Sequence, residues 1–119
     1  MSDSNCIFCK IVRGEIPAKK VYEDDEVIAF NDIRPQAPVH ILVVPKAHVA
    51  TLYDAQPVHQ SALGKMLTVA GRLAREAGAA DGFRTIINNG RVGHQEVYHV
   101  HMHVLGGTEP LGPMLSRRK

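Results

Sequence analysis

The sequence predicts an α+β fold built around a mainly antiparallel sheet. Several short β-type runs are bounded by turn residues, and one long stretch with helical periodicity lies between them. No repeat, linker or low-complexity tract divides the chain. Because a chain of 119 residues has room for one hydrophobic core and rarely splits into two, we expect a single domain over residues 1–119.

The elements expected before the long helix are short. Residues 6–14 place apolar side chains at helical spacing and end at Gly14, which predicts a short helix or a turn. Pro45 cannot donate a hydrogen bond to a neighbouring strand, so it marks a strand end or edge. Three β-type runs lie in this part of the chain, at residues 21–23, 27–30 and 40–44.

The long helix is predicted over residues 57–77, where the apolar residues form one stripe. Gly78 lies where a C-terminal cap is expected, and Asp54 is a candidate N-cap. Two further strands are expected after the helix, at residues 83–88 and 97–105.

Composition argues against several classes of protein. The 14 basic and 12 acidic residues nearly balance, and the one basic run, at residues 117–119, is interpreted as a solvated tail, so neither nucleic acid nor a membrane surface is an expected partner. The N-terminus lacks the pattern of a signal peptide, and the longest aliphatic run, 41–44, is far too short to span a membrane. Two cysteines are too few for a disulfide framework, so we expect a reducing compartment and a cytoplasmic location.

Histidine is the unusual feature of the composition. Of seven histidines, three fall within five residues, at His99, His101 and His103. Side chains alternate between the two faces of a strand, so these three would share one face while aliphatic residues occupy the other. The aliphatic alternation favours a strand over a helix. We therefore expect a histidine row facing a site, with a hydrophobic row behind it.

The chemistry of the residues alone leaves three interpretations of this row open. It could be an exposed strand whose polar face happens to be histidine. It could be a three-histidine zinc site, because neutral imidazoles two residues apart on a strand can share a metal. It could also serve nucleophilic catalysis at phosphorus. His40 and Asn88, expected at the ends of other strands, favour catalysis because they suit phosphate and imidazole positioning better than a closed metal shell.

The segment at residues 99–105 resembles the His-x-His-x-His-x-x signature of the histidine triad (HIT) family. The similarity covers nearly the whole chain and is closest to the Hint branch, the purine nucleoside phosphoramidases. It implies a HIT-like fold, with one long and one short helix beside a five-stranded antiparallel sheet, and a homodimer whose two sheets join into one of ten strands. Further matching segments lie at residues 7–11, 15–18, 29–33, 35–38, 40–46 and 95–99.

The resemblance also implies a reaction and the residues that perform it. It makes His101 the nucleophile, which forms a nucleotidyl-histidine at the α-phosphate before water releases the mononucleotide. A neutral imidazole with one free nitrogen, and with its other N–H held by a main-chain carbonyl, suits this role. His99 completes the triad. The other groups implied at the phosphate are His40, His103, Asn88 and the main chain of Gln95 and Glu96.

The resemblance also implies which residues hold the nucleoside. The resemblance implies that Asp32 binds the ribose, because a carboxylate can accept hydrogen bonds from the 2′- and 3′-hydroxyls. Taken alone, Asp32 is a turn residue before the Ile33-Arg34-Pro35 segment. Without the resemblance, the residues implied as purine walls are simply core. These residues are Phe8, Ile11, Ile16, Phe30, Ile33 and Leu42.

Cys6 and Cys9 form a Cys-x-x-Cys pair that is open to redox, disulfide and zinc interpretations. No strand precedes the pair as a thioredoxin-like site would require. A structural zinc needs four ligands, and the resemblance supplies His48 and His99 as the other two. We expect one structural Zn²⁺ per chain, no catalytic cofactor, and catalysis that survives loss of the metal. The alternative is two buried thiols with His48 as an ordinary loop residue.

Two positions depart from the pattern of the family. Glu96 stands where animal-type members carry serine, although bacterial-type members can carry glutamate, and its charge would favour a departing ammonium over a carboxylate leaving group. His94 stands where glycine is usual, so its side chain lines or crowds the phosphate entrance. His59, on the predicted helix, is interpreted as a solvated surface residue.

The sequence thus predicts a homodimeric hydrolase that cleaves the P–N bond of purine nucleoside 5′-phosphoramidates, such as adenosine 5′-monophosphoramidate, through His101. One rival is a zinc-stabilised module that binds a nucleotide or a protein partner and whose hydrolase activity is incidental. The other rival is a metallohydrolase that uses the histidine row as its ligand shell.

Overall fold

The computed structural model describes residues 5–115, so the basic run at 117–119 lies outside the described residues. Two short 3₁₀ turns, Leu52–Asp54 and Pro57–His59, precede the long helix. The helices are α1 (Ile7–Val12) and α2 (Gln60–Glu76). The strands are β1 (Lys20–Glu23), β2 (Val27–Asn31), β3 (Val39–Pro45), β4 (Phe83–Ile87) and β5 (Met102–Gly106).

The five strands form one sheet in the order β1-β2-β3-β5-β4, and every neighbouring pair is antiparallel. This architecture confirms the predicted α+β class, with a five-stranded antiparallel sheet, one long helix and one short helix. In the central pair β3 and β5, Leu42 lies opposite His103 and His40 lies opposite Leu105. Two histidines on different strands therefore come close to each other in the middle of the sheet.

The two faces of the sheet carry separate apolar clusters. Alternate residues of β2 belong to different clusters. Val27 and Ala29 pack in the cluster that contains α2, whereas Ile28 and Phe30 pack in the cluster that contains Phe8 of α1. The central strand β3 is buried along its whole length because both of its faces are covered. The helix α2 thus closes one face and leaves part of the other for a site.

The last strand is shorter than the sequence predicts. Pairing ends at Val43 and Met102, so β5 starts at Met102 and not at residue 97. The physical reason lies in Pro45, which has no N–H for the ladder, while the carbonyl of Pro45 accepts a hydrogen bond from the ring of His99. The backbone of the preceding segment bonds elsewhere, with Val100 N–H donating to Val49 O at 2.7 Å.

The alternation of side chains continues through this irregular segment. Val100, Met102 and Val104 all belong to the cluster beneath α2. The ring of Phe8, on the opposite face, packs edge-on against the rings of His99 and His101. The predicted histidine and aliphatic rows are therefore present, although only part of the segment is a hydrogen-bonded strand.

The start of α2 differs from the prediction, whereas its end agrees. Asp54 does not cap α2, because its carboxylate accepts from the Thr51 hydroxyl at 2.8 Å within the first 3₁₀ turn. His59 is not an idle surface residue, since its Nδ1 accepts the Gln56 N–H at 2.9 Å beside the second turn. Gly78 follows the helix with φ of 109°, as expected of a glycine cap. Among the described residues, no helix has the length and apolar character needed to cross a membrane.

Candidate active site

One open cleft of about 610 Å³ gathers most of the residues predicted to act on phosphate. It lies across β3 and β5, with the turn after β2 at one end and the segments that flank β5 at the other. Three of its lining residues were not predicted as site residues: Arg34, Gln36 and Val97. The predicted residues that line the cleft are Asp32, Ile33, His40, Asn88, His94, Glu96, His101 and His103.

A directed series of hydrogen bonds fixes where His40 and His103 carry their protons. The Gln36 N–H donates to His40 Nδ1 at 2.9 Å, so a neutral His40 holds its proton on Nε2. That nitrogen lies 2.8 Å from His103 Nδ1 and donates to it. His103 therefore keeps its proton on Nε2, as a donor for a phosphoryl oxygen.

Burial keeps these two rings neutral near pH 7. It lowers the pKa of His103 to about 4, assisted by the neighbouring imidazoles of His101 and His40. Burial also lowers the pKa of His40, although the Asp32 carboxylate, with Oδ2 at 3.5 Å from His40 Nε2, opposes the shift. Asp32, His40 and His103 have donor atoms close enough to share a metal, but the facing nitrogens of the two histidines already hydrogen-bond to each other.

His101 has the tautomer that nucleophilic attack requires. Its Nδ1 lies 2.8 Å from the carbonyl oxygen of His99, and because a carbonyl only accepts, Nδ1 carries the proton. The lone pair is therefore on Nε2. The centroid of the His101 ring lies 5.1 Å from those of both His103 and Phe8, so the ring is packed as well as hydrogen-bonded.

His99 faces a second cluster instead of the cleft. Its Nε2 donates to Pro45 O at 2.7 Å, which leaves the Nδ1 lone pair 3.3 Å from the Cys6 sulfur. Cys9 Sγ lies 3.4 Å from His48 Nδ1, and all four potential ligand atoms lie within 4.8 Å of one another. Two thiolates and two imidazoles are a donor set that tetrahedral zinc sites use, so these residues could hold a metal.

This arrangement separates the triad into two parts. The three imidazoles do not converge on one point, because His99 presents its lone pair to the thiols while His101 donates to the His99 carbonyl. The structure therefore disfavours a three-histidine metal shell. Burial lowers the pKa of His99 to about 4 and raises the pKa of the Cys6 thiol. Without a metal, the His99 ring and the Cys6 thiol are thus neutral near pH 7.

The loop before the histidine segment has a structural and an exposed part. The Gln95 side chain is buried, accepting from Gly90 N–H at 2.9 Å and donating to Ala50 O at 2.7 Å, so it shapes the loop and does not line the cleft. His94 has φ of 61°, a left-handed conformation that explains why glycine is usual at this position. Its ring is exposed at the cleft, with Nε2 at 3.7 Å from Glu96 Oε2.

The residues implied as purine walls lie mainly in the core. A second open cleft, of about 580 Å³, adjoins the first because both are lined by Asp32 and Ile33. Of the six implied walls, Ile33 lines these clefts and is 91% exposed. Ile16 is partly exposed and lines neither cleft. The other four form or contact the cluster on the histidine face: Phe8, Phe30, Leu42 and Ile11.

The turn after β2 was recognised only in part from the sequence. Asp32 Oδ1 accepts the Arg34 N–H at 2.7 Å, so the turn interpretation of Asp32 and its place in the cleft hold together. Gln36 lies in a segment that matched the family, yet its bond to His40 depends on a contact that no spacing rule reveals. Arg34 and Lys19, which line the first and second clefts, carried no motif of their own.

Comparisons with known proteins identify the family of this chain. Residues 13–110 match the HIT domain. The purine nucleoside phosphoramidase of Escherichia coli (strain K12) is 55% identical over 113 residues, which is 94% of each chain. A HIT family hydrolase from Legionella pneumophila Philadelphia 1 superposes with a TM-score of 0.85 and 47% identity over 92% of this chain and 98% of that one. A histidine triad protein from Clostridium difficile gives 0.87 and 48% over 94% and 98%. The chain therefore belongs to the HIT family and is a hydrolase of that family.

Proposed function

We propose that this hydrolase cleaves the P–N bond of purine nucleoside 5′-phosphoramidates through a nucleotidyl-histidine on His101. The hydrogen bond from His101 Nδ1 to His99 O, at 2.8 Å, carries the proposal because it leaves Nε2 as a neutral nucleophile. The name of the Escherichia coli relative supports the same substrate class.

The reaction follows from the assigned protons. His101 Nε2 attacks the α-phosphorus, the P–N bond breaks, and the amine leaves with the bonding pair and takes up a proton. The imidazolium that forms keeps its Nδ1 proton on the His99 carbonyl. His103 Nε2–H and Asn88 are the donors for the phosphoryl oxygens. Water then attacks phosphorus and gives a proton to solvent, which balances the proton that the amine took from solvent, and breaking of the P–Nε2 bond releases the mononucleotide and restores neutral His101.

The nucleoside would occupy the two adjoining clefts, with the ribose at Asp32. This carboxylate lines both clefts, and because the Arg34 N–H uses only one of its lone pairs, it can still accept hydrogen bonds from the 2′- and 3′-hydroxyls. Ile33, almost fully exposed beside it, offers apolar surface to the purine.

Zinc is the metal that we propose for the cysteine cluster. Cys6, Cys9, His48 and His99 would hold one structural Zn²⁺, which would tie α1 to the histidine segment. No step of the proposed reaction passes through it, because His99 is turned away from the cleft. Cys6 and Cys9 form no disulfide, as expected in a reducing compartment such as the cytoplasm, which stays a prediction.

Glu96 supports a preference for amine leaving groups. Its carboxylate is exposed at the mouth of the cleft that holds His101, where it attracts a departing ammonium and repels a carboxylate. We expect the Glu96→Ser variant to lower kcat/KM for a lysine phosphoramidate relative to an acyl phosphate. An unchanged ratio of the two values would refute the role of Glu96.

A homodimer joined through β4 is also proposed. This strand lies at the sheet edge, and its Phe83, which is 42% exposed, lies beside Gly71 of α2. Leu67, one helical turn before Gly71, is 60% exposed. Pairing of β4 with a second copy would join the two sheets into ten strands and cover these side chains. Sedimentation velocity should show a dimer that the Leu67→Glu variant disrupts and the remote Val58→Glu variant does not. A wild-type monomer would contradict the proposal.

The decisive experiment for the reaction is steady-state hydrolysis of adenosine 5′-monophosphoramidate with mass spectrometry of the quenched enzyme. Wild type should give a peptide containing His101 that carries one adenylyl group. The His101→Ala variant should lack the adduct and nearly all activity, whereas the control His59→Asn, outside the cleft, should keep both. Equal rates for wild type and His101→Ala would overturn the proposal.

A further inference from the structure

A third open cleft, of about 360 Å³, adjoins the cleft that holds His101. Glu96 and Val97 line both of these clefts, just as Asp32 and Ile33 are shared with the second cleft. Within residues 5–115, the second and third clefts have no lining residue in common. The histidines therefore lie in a central cleft that has two separate extensions.

The two extensions correspond to the two groups that a phosphoramidate carries on its phosphorus. One group is the nucleoside, for which the proposed function uses the extension at Asp32. The other group is the amine, which leaves when His101 attacks. Because Glu96 lines both the central and the third cleft, a departing ammonium that moves from one to the other would meet its carboxylate. The third cleft is thus the extension left for the rest of the amine.

The walls of the third cleft suit a carbon chain. Ile7, at the start of α1, is 45% exposed, and Tyr98 is 48% exposed, although their neighbours Phe8 and His99 are both buried. None of the described residues that line this cleft is lysine or arginine. An apolar chain that begins at a cationic nitrogen therefore fits these walls better than a chain that carries a carboxylate.

The third cleft differs from the position proposed for the metal, although Cys6 and His48 line it. Cys9 and His99, the other two members of the cysteine cluster, do not line this cleft. The four potential ligand atoms lie within 4.8 Å of one another, whereas the cleft of about 360 Å³ is far larger than one ion requires. An organic group is therefore the occupant that suits its size.

The two apolar walls are held in place by the main chain around them. Ile7 follows Cys6, whose sulfur accepts a main-chain N–H of α1 at 3.4 Å and so caps the helix. Tyr98 precedes His99, whose ring donates to the Pro45 carbonyl at 2.7 Å. A ligand that binds between these walls would have little main chain to order, which favours binding.

We propose that the third cleft holds the carbon chain of the leaving amine, which packs against Ile7 and Tyr98 while its nitrogen lies near Glu96. The inference rests on the proposed function in one respect, namely that the reacting phosphorus lies at His101. The bonds that form and break are those of the proposed reaction. The substrate class is then a purine nucleoside 5′-phosphoramidate of a primary alkylamine with an apolar chain.

Calorimetric titration tests this with two probes, the adenosine 5′-phosphoramidates of methylamine and of hexylamine, which are amines of nearly equal basicity. The His101→Ala protein is used because the proposed reaction cannot consume the probes in it. We expect it to bind the hexylamine probe about tenfold more tightly, which is less than full burial of the longer chain would give, because the cleft is open. Equal affinity for the two probes would overturn the proposal.

Variants made in the His101→Ala protein locate the preference. Ile7→Asn and Tyr98→Ala should each lower the ratio of the two dissociation constants about threefold, and together they should bring it close to one. Tyr98→Phe keeps the aromatic ring and should keep the ratio. The control Tyr53→Ala removes an exposed tyrosine outside the three clefts and should also keep it.

Two results with these variants would contradict the proposal. One is a preference that survives removal of both side chains, because the hexyl chain would then bind elsewhere. The other is an unchanged ratio in Ile7→Asn. This substitution lies at a half-exposed position on the first residue of α1, so it tests the third cleft even if Tyr98→Ala does not fold.

Hydrolysis of the methylamine probe by the wild type separates the two proposals. Hydrolysis without a preference for the hexylamine probe contradicts the role of the third cleft alone. A preference without hydrolysis contradicts the proposed reaction alone and leaves the third cleft supported as the binding site of the amine.

Discussion

His99 and His101 lie two residues apart, yet their rings belong to different clusters. The ring of His101 has its proton on Nδ1, bound to the His99 carbonyl, and offers the Nε2 lone pair to the cleft. The ring of His99 has its proton on Nε2, bound to the Pro45 carbonyl, and offers the Nδ1 lone pair to two thiols. The role of each histidine is therefore determined by the carbonyl that holds its other nitrogen, not by its place in the motif.

The largest expected effect is a clean separation of these two roles. His101→Ala should lower kcat/KM by roughly 10⁴-fold, the usual order for loss of a nucleophile, and leave metal content unchanged. Cys9→Ser should abolish stoichiometric metal binding and lower kcat/KM by less than about tenfold, below the roughly 10–100-fold usual for groups that support a reacting metal, because the cysteine cluster does not face the cleft. Steady-state kinetics and metal analysis by mass spectrometry measure both quantities.

Wild type treated with a chelator provides the control for misfolding of the cysteine variant. It should also remain active, with a lower melting temperature because the metal no longer joins α1 to the histidine segment. If metal-free enzyme loses as much activity as His101→Ala, the two clusters are not separate in function.

A smaller effect is expected for substitutions of His40, which fixes the tautomer of His103 in the cleft. His40→Ala removes the donor that keeps the His103 proton on Nε2, and kcat should fall by about 10²-fold. His40→Gln offers an amide N–H in place of the imidazole N–H and should recover part of the rate. Steady-state kinetics of both variants measure this. A rate for His40→Gln no better than for His40→Ala would show that His40 acts by some means other than this hydrogen bond.

The pH dependence of stability should show the buried neutral state of His103. Its pKa is about 4 in the folded protein and near 6.5 in the unfolded chain. As the pH falls, the unfolded chain therefore takes up a proton on this residue at a higher pH than the folded protein does. The free energy of unfolding should therefore have its full value above about pH 6.5 and should decline as the pH falls from there towards about 4. Urea unfolding at several pH values measures this decline, and His103→Asn should make it shallower. An identical slope in the variant would contradict the shift.

The smallest effect is expected at the mouth of the cleft. His94 occupies a left-handed conformation in which a side chain is strained, so His94→Gly should raise the free energy of unfolding by about 1 kcal/mol. His94→Ala is the matched control and should give little gain, because alanine bears the same strain. Thermal unfolding measures both variants. Equal stabilisation by the two would assign the effect to loss of the imidazole and not to the backbone.

Much of the fold and of the cleft could be predicted because it depends on local pattern. The alternation of Val100, Met102 and Val104 is sufficient to place the histidines on the opposite face, and the helical stripe locates α2 to within a few residues. Resemblance to a family added the residues at the phosphate, most of which line the cleft.

What could not be predicted depends on partners distant in sequence. The last strand starts later than predicted because of Pro45, which lies 54 residues before His99 and whose carbonyl accepts a hydrogen bond from the His99 ring. Phe8 of α1 packs in one buried cluster with Phe30 and Leu42, which lie on two different strands. Arg34 and Lys19 line adjoining clefts, and only the structure shows that these two clefts meet at Asp32. No periodicity contains that information.

The position of Phe8 has a consequence for the entropy of the reaction. Its ring stands edge-on to His101 at 5.1 Å and to His99 at 5.8 Å, on the short helix that carries Cys9 and is capped by Cys6. An imidazole packed on its face and hydrogen-bonded at one edge has few rotational states left. His101, the proposed nucleophile, therefore loses its rotational freedom once, when the chain folds, and each turnover would begin with its ring already oriented.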